Sequence, residues 1–234
     1  MAKVYLSPAY HWFNPCSIDG CDETTHNNEY MDEVEEYLKS CGIEYRRGPR
    51  RVPKSNEDGN ALMKQAVKES NEFGADIHYV SHTNGSVNNA ADIGKGKAKG
   101  CRPIIYKGST RGEKLAECML KYRKKVYTGP ITLNRRTDLY ELSAPTAASF
   151  YEEHVFHDNM EDALWFHSNM KAVARSAVQG MCEYLGVPFV ETANNINAEY
   201  EALKEQYNTL QASADAFRTR VMNALEIFDN GKGG

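Results

Sequence analysis

The chain has 234 residues, of which 41% are hydrophobic and 26% are charged, as is ordinary for a globular protein. This length allows one α/β domain with a sizeable core and one appended element. The formal net charge of −4 and the pI near 6.0 give no overall positive field that would attract nucleic acid or an anionic membrane. We therefore expect neither of these among its partners.

The N-terminus and the cysteines indicate where the chain folds. The first residues contain no apolar run of signal-peptide length, and no stretch approaches the roughly 20 apolar residues that span a bilayer. We therefore expect folding in a cytoplasm. The six cysteines lack the paired spacing of a structural zinc site. Cys16 and Cys21 flank a short loop and leave a disulfide and two thiols both open, although a cytoplasm favours the thiols.

Apolar runs alternate with amphipathic segments through most of the chain. In chain order they predict a strand at 3–6, a helix from Asn27 or Asn28 to about 41, a strand at 43–46, a helix at 56–74, strands at 76–81 and 102–106, a helix at 111–122, strands at 139–142 and 147–153, and a helix at 161–185. Strands that alternate with helices indicate an α/β fold, with a single mixed, largely parallel sheet flanked by helices.

The end of the chain has a different pattern, and we divide the protein into domains at 1–190 and 191–234. Apolar residues there recur in steps of four and three, at Ile196, Tyr200, Leu203, Tyr207, Leu210, Ala214, Phe217, Val221, Ala224 and Phe228. This heptad repeat predicts one long helix that forms a coiled coil and joins subunits into a homo-oligomer. The alternative is a helix that packs back on the first domain.

Chemically reactive side chains follow or end three of the predicted strands. His11 follows the first strand, His82 directly follows the strand at 76–81, and Glu153 ends the strand at 147–153. Glu29 lies early in the first helix. Catalytic zinc commonly takes two His and one carboxylate, and a further carboxylate then moves the proton of the attacking water. His11, Glu29 and His82 fit the ligands and Glu153 fits the base, although the 7 His and 32 acidic residues offer other triplets.

Four motifs, in this order, resemble those of the zinc-dependent N-acetylmuramoyl-L-alanine amidase family, the branch called amidase type 3. They are a strand running into a loop with His11, a Glu at the start of the first helix (Glu29), His82-Thr83-Asn84, and Glu153-x-x-Phe156-x-x-Asn159 followed by an acidic turn. The resemblance covers about residues 3–187. Pro145-Thr146-Ala147, before the last strand, is similar to the endolysins of phages that infect Gram-positive bacteria.

The resemblance implies a function and a set of site residues. His11, Glu29 and His82 would bind one Zn²⁺ per chain, and Glu153 would be the catalytic acid and base. Asn84 would orient the His82 loop or contact substrate. The substrate would be peptidoglycan, cleaved at the amide bond between the lactyl group of N-acetylmuramic acid and L-alanine. A phage enzyme of this kind would stay in the host bacterial cytoplasm until holin-type pores release it to the cell wall.

Some alternatives remain open at this point. Glu152 adjoins Glu153, and neighbouring strand residues face opposite ways, so only one of them can face the metal; the spacing to Phe156 and Asn159 selects Glu153. His26 competes as a ligand. At the level of function the alternatives are a bacterial wall-remodelling amidase, another zinc hydrolase such as a peptidase or deacetylase, and a non-enzymatic protein built on the coiled coil.

Overall fold

The computed structural model describes residues 1–18, 22–87 and 89–230. The strands are β1 (Lys3–Pro8), β2 (Glu44–Arg47), β3 (Ile77–Asn84), β4 (Arg102–Tyr106), β5 (Asn134–Arg136) and β6 (Ala148–Phe156). The helices are α1 (Glu23–Ser40), α2 (Asn56–Phe73), α3 (Thr110–Val126), α4 (Tyr140–Ser143), α5 (Met160–Leu185) and α6 (Ala193–Asn230). The predicted alternation of strands and helices is confirmed.

The strands form one six-stranded sheet in the order β2-β1-β3-β6-β4-β5. Neighbouring strands run parallel, except that β4 runs antiparallel to β6. The prediction of a single mixed, largely parallel sheet flanked by helices is therefore confirmed. Because β1, β3 and β6 are mutually parallel neighbours, their carboxyl ends meet at one edge of the sheet.

Helices cover both faces of the sheet. On one face, Leu6 of β1 belongs to a large apolar cluster with residues of α1, α3 and α5, including Tyr30, Met119 and Val173. On the other face, Tyr5 packs with residues of α2 in a smaller cluster. Successive residues of a strand point to opposite faces, so β1 contributes to both cores and is buried almost throughout.

Two predicted elements differ from the structure, and one strand of the structure was not predicted. The first helix begins at Glu23, before Asn27, because Asp22 caps it by accepting a hydrogen bond from the Thr25 backbone N–H at 2.8 Å. The strand predicted at 139–142 is wrong, since this segment contains the single helical turn α4. The edge strand β5 was not predicted because its polar residues have no strand pattern and pair only with β4.

The chain separates into two compact units, Met1–Val190 and Glu191–Gly234. The second unit contains α6, so the predicted long helix is present. Its described apolar positions are exposed, among them Leu203 at 66%, Leu210 at 70% and Phe217 at 69%. The side chains of Ala224 and Phe228 lie outside the described residues, as does Cys21, and the coiled coil stays a prediction. No helix within the described ranges has both the length and the apolarity needed to cross a membrane.

Candidate active site

Two of the predicted site residues lie side by side in the sheet, and a third lies just beyond the carboxyl end of a neighbouring strand. His82 of β3 and Glu153 of β6 are register partners on adjacent parallel strands. His11 follows β1, the other neighbour of β3, and its ring lies 5.2 Å from the His82 ring in an edge-to-face arrangement. The carboxyl end of a parallel sheet is where α/β proteins place their sites, and these side chains meet there.

A buried carboxylate, Glu23, lies between the two imidazoles. Its Oε1 is 3.0 Å from Nδ1 of His82, and its Oε2 is 3.6 Å from Nε2 of His11. One nitrogen of each histidine and one oxygen of Glu23 all lie within 4.8 Å of one another. Two His and one carboxylate in this arrangement form a donor set suited to a zinc ion.

Tertiary hydrogen bonds fix Glu23 in this position. Thr83 donates its backbone N–H to Glu23 Oε1 at 2.8 Å, and the Asn14 side-chain amide donates to Oε2 at 2.6 Å. The Thr24 hydroxyl accepts from the His11 backbone N–H at 3.0 Å and donates to the His11 carbonyl at 2.9 Å. These bonds tie the first turn of α1 to the loop after β1, so His11 and Glu23 are held together.

The structure places Glu29, the predicted third member of this group, elsewhere. Glu29 does not lie with His11 and His82; it is exposed and belongs to a separate group with His26 and His167. Glu29 follows Glu23 by six residues, which is roughly 9 Å along the helix. Sequence reasoning missed Glu23 because it placed the start of α1 too late. The available signal was Asp22, an N-cap residue type directly before Glu23.

The charges of Glu23, His82 and His11 strongly affect one another's pKa values. Burial opposes ionisation of Glu23, but the nearby His82 and His11 outweigh it and lower its pKa to about 2. Burial favours the neutral form of His82, yet the charge and hydrogen bond of Glu23 raise the His82 pKa above its usual value. For His11 burial prevails, and its pKa is lowered. Glu23 is therefore ionised at neutral pH.

Glu153 has the properties of a proton-transfer group. Its Oε2 atom is buried and has no hydrogen-bond partner in the part of the chain that the structure describes. Burial raises the pKa of Glu153 to about 7; His82 opposes this shift and the Glu23 charge adds to it. A carboxyl group whose pKa lies near the working pH can both accept and return a proton.

The neighbouring Glu152 lies in a different environment. Its Oε1 is 2.6 Å from Nη2 of the buried Arg123, and its Oε2 accepts a hydrogen bond from the Tyr79 hydroxyl at 2.7 Å. Glu152 therefore points into the core on the α1, α3 and α5 side, as the alternation along β6 requires. Its role in the structure is to neutralise Arg123.

Two clefts border the carboxyl end of the sheet, and His11 and His82 line only the smaller one. One, of about 150 Å³, is lined by residues that include Tyr10, His11, His82 and Tyr151. The other, of about 350 Å³, lies between the loop after β1 and the loop after β3, with Phe13 and Val87 in its walls.

Asn84, at the end of β3, shapes the start of the loop that borders the larger cleft. Its side-chain oxygen accepts the Gly85 N–H at 2.8 Å, and its carbonyl accepts the His157 N–H at 2.8 Å.

Comparison with known proteins gives matches among solved structures alone. No protein-family model matches the chain, and no curated protein sequence matches it. The CwlD amidase from Clostridioides difficile, solved in complex with the GerS lipoprotein, is 18% identical with a TM-score of 0.64, and the match covers 80% of this chain and 99% of CwlD.

Two further structures show the same likeness. The catalytic domain of CwlV, an N-acetylmuramoyl-L-alanine amidase from Bacillus (Paenibacillus) polymyxa var. colistinus, is 20% identical with a TM-score of 0.65, covering 80% of this chain and 99% of that one. The catalytic domain of the CD27L endolysin, which targets Clostridia difficile, is 17% identical with a TM-score of 0.65, covering 78% and 98%. The chain therefore has the fold of N-acetylmuramoyl-L-alanine amidases.

Proposed function

We propose that this chain is a zinc-dependent N-acetylmuramoyl-L-alanine amidase. It hydrolyses the amide bond between the lactyl group of N-acetylmuramic acid and the L-alanine of the stem peptide in peptidoglycan. The observation that carries the proposal is the convergence of His11, Glu23 and His82 beside Glu153, at the carboxyl end of the sheet. The fold shared with amidases supports the same assignment.

The residues present fit a zinc ion. Two imidazoles and one carboxylate are preferred ligands of Zn²⁺. The buried Oε2 of Glu153, which has no hydrogen-bond partner among the described residues, suits a group that accepts a hydrogen bond from water beside such an ion. His11, Glu23 and His82 would hold one zinc ion per chain, with Glu23 taking the place first predicted for Glu29. When bound, zinc polarises the scissile carbonyl and lowers the pKa of water. Hydrogen bonds from Asn14 and Thr83 orient the Glu23 carboxylate, as hydrogen-bond partners of metal ligands commonly do.

Glu153 moves the proton in this proposal. Its carboxylate accepts a proton from the attacking water, whose oxygen forms the new bond to the lactyl carbonyl carbon. The same carboxyl group then gives the proton to the L-alanine nitrogen as the carbon–nitrogen bond breaks. The products are a lactyl carboxylic acid and a free L-alanine amine, Glu153 returns to its starting state, and the acid's proton passes to the amine, which leaves a carboxylate and an ammonium group at neutral pH.

The substrate would lie across the two clefts, so that the scissile bond passes His11 and His82. Asp158 Oδ2 accepts the backbone N–H groups of Ser86, at 2.5 Å, and Val87, at 2.6 Å, and so fixes the loop that borders the larger cleft. Asn84 begins this loop, and we assign to it the orienting role. A loop held by a buried carboxylate presents a stable wall to the sugar and peptide.

The biological role that we propose is that of a phage endolysin. Pro145-Thr146-Ala147 before β6, together with the likeness to the CD27L catalytic domain, supports it. The enzyme would remain in the host bacterial cytoplasm until holin-type pores release it to the wall. The apolar stripe of α6 would join copies of the chain into a homo-oligomer.

Identifying the bond that the protein cleaves in peptidoglycan tests the proposal. Purified Gram-positive peptidoglycan would be digested with the wild type and with Glu153→Gln, and new amino groups and new reducing ends would be counted. We expect new amino groups on L-alanine, no new reducing ends, and no reaction with Glu153→Gln. Amino groups on another residue would indicate a peptidase, and released acetate would indicate a deacetylase.

A further inference from the structure

A second group of metal-ligand side chains lies on the helical layer, away from the sheet edge. His26 and Glu29 of α1 and His167 of α5 place one ligand atom each within 4.8 Å of one another. The His26 and His167 rings have centroids 5.8 Å apart and are tilted by 54°. The three side chains thus meet from two separate helices.

Helix geometry explains why these residues meet. His26 and Glu29 are three residues apart on α1, so they share one face of that helix. The buried rings of Tyr30 and Phe166 pack together with centroids 5.7 Å apart, and each adjoins a member of the group in sequence. This aromatic contact fixes the register of α1 against α5 and holds His167 opposite His26 and Glu29.

We propose that His26, Glu29 and His167 form a second metal site, which takes a divalent transition-metal ion such as Zn²⁺. Two imidazoles and a carboxylate select Zn²⁺, Co²⁺ or Ni²⁺, whereas Mg²⁺ and Ca²⁺ prefer oxygen ligands alone. Two ligands of one zinc ion lie at most about 4.2 Å apart, because each bond is about 2.1 Å long. The exposed ends of Glu29 and His167 can make the small shift from the present arrangement.

The burial of the three residues suits a structural ion. His26 is 6% exposed and anchors the site, while Glu29 and His167 are open to solvent and leave a path for the ion and its water. An ion bound here would link α1 to α5. Because α1 begins with Glu23, this link also steadies the helix that carries one member of the first group, which consists of His11, Glu23 and His82. The site is separate from the proposed catalytic centre and does not depend on it.

Zinc content tests the second site. Chain stripped with a chelator would be reloaded with zinc, freed of excess by gel filtration and analysed for metal per chain. We expect two zinc ions in the wild type and one in Glu29→Gln or His167→Gln, both changes at exposed positions. Glu36→Gln, at another exposed acidic position of α1, is the matched control and keeps two. Equal zinc in all four proteins overturns the proposal.

A variant of the first group separates the two sites. We expect His82→Ala to retain one zinc ion, and His82→Ala combined with His167→Gln to retain none. Zinc should raise the melting temperature of the single variant but not of the double variant, since an ion that binds the folded state stabilises it. A His82→Ala protein that binds no zinc overturns the second site. If the wild type holds a single zinc ion, and His167→Gln removes it while His82→Ala does not, the result supports the second site and contradicts the first.

Discussion

His82 and Glu153 are register partners on β3 and β6, and their side chains leave the sheet on the same face. Glu152, one residue earlier, leaves by the opposite face and pairs with Arg123. The alternation of a single strand therefore separates two adjacent carboxylates into one beside the candidate metal ligands and one in the core. Substitutions of these two residues should accordingly have different effects.

Replacement of Glu23 distinguishes the site in the structure from the one predicted by sequence. We expect Glu23→Gln to weaken zinc binding at the first site by at least about 100-fold and to abolish wall hydrolysis, because a buried charged ligand is lost. Glu29→Gln should lose far less activity, since Glu29 lies on a later turn of α1. Zinc titration and turbidity of cell walls measure both effects. A larger loss in Glu29→Gln would restore the original assignment.

The raised pKa of Glu153 predicts a pH-dependent stability of the zinc-free protein. Its pKa rises from 4.5 to about 7 on folding, so the folded state holds a proton that the unfolded state releases. Stability should therefore fall as pH rises from about 4.5 to 7. Glu153→Gln lacks this titrating group. The unfolding free energy of the variant relative to the wild type should therefore rise by about 2 kcal/mol from pH 5 to pH 8. Urea unfolding at both pH values measures the gain, and parallel changes in the two proteins would contradict it.

The Arg123–Glu152 pair should matter for folding. Glu152→Gln leaves the buried guanidinium of Arg123 without its charge partner and should cost about 3 kcal/mol of unfolding free energy. Replacing both residues, by Arg123→Met and Glu152→Leu, should cost less than the single change. Urea unfolding of the three proteins measures this difference. A double replacement that loses as much stability as Glu152→Gln, or more, would contradict this expectation.

The exposed stripe of α6 predicts self-association. We expect the full chain to sediment as an oligomer, and Leu203→Glu with Leu210→Glu to make it monomeric, because charges in a heptad core are costly. Asn208→Glu with Ala212→Glu adds the same charge off the stripe and should leave the oligomer intact. Sedimentation velocity separates the species. A monomeric wild type would favour the alternative in which α6 packs on its own first domain.

Most of the sheet could be predicted from sequence because its central strands are buried on both faces. β1, β3 and β6 are nearly continuous buried runs, and the residues at or just beyond their carboxyl ends, such as His11 and His82, follow from the strand positions. Parallel strands bring such ends together, so two members of the first group were predictable without knowledge of the helices.

The remainder depends on contacts between distant residues. Asp22, Asn27 and Asn28 are all N-cap residue types, and local preference cannot choose among them. The choice is made by the bonds from Asn14 and Thr83 to Glu23, of which the Thr83 bond joins residues 60 apart in the chain.

The single turn α4 has a similar origin in tertiary structure. The Ser7 hydroxyl donates to buried Glu141 at 2.5 Å, and Leu142 belongs to an apolar cluster with Val80 of β3.

The most direct test of the account compares the wild type with Glu153→Gln for bound zinc and for clearing of purified Gram-positive cell walls. We expect both proteins to hold the same amount of zinc, the wild type to clear the walls, and the variant to clear them at least about 100-fold more slowly. A wild type without zinc, or a variant that clears walls at the wild-type rate, would contradict the assignment of these residues.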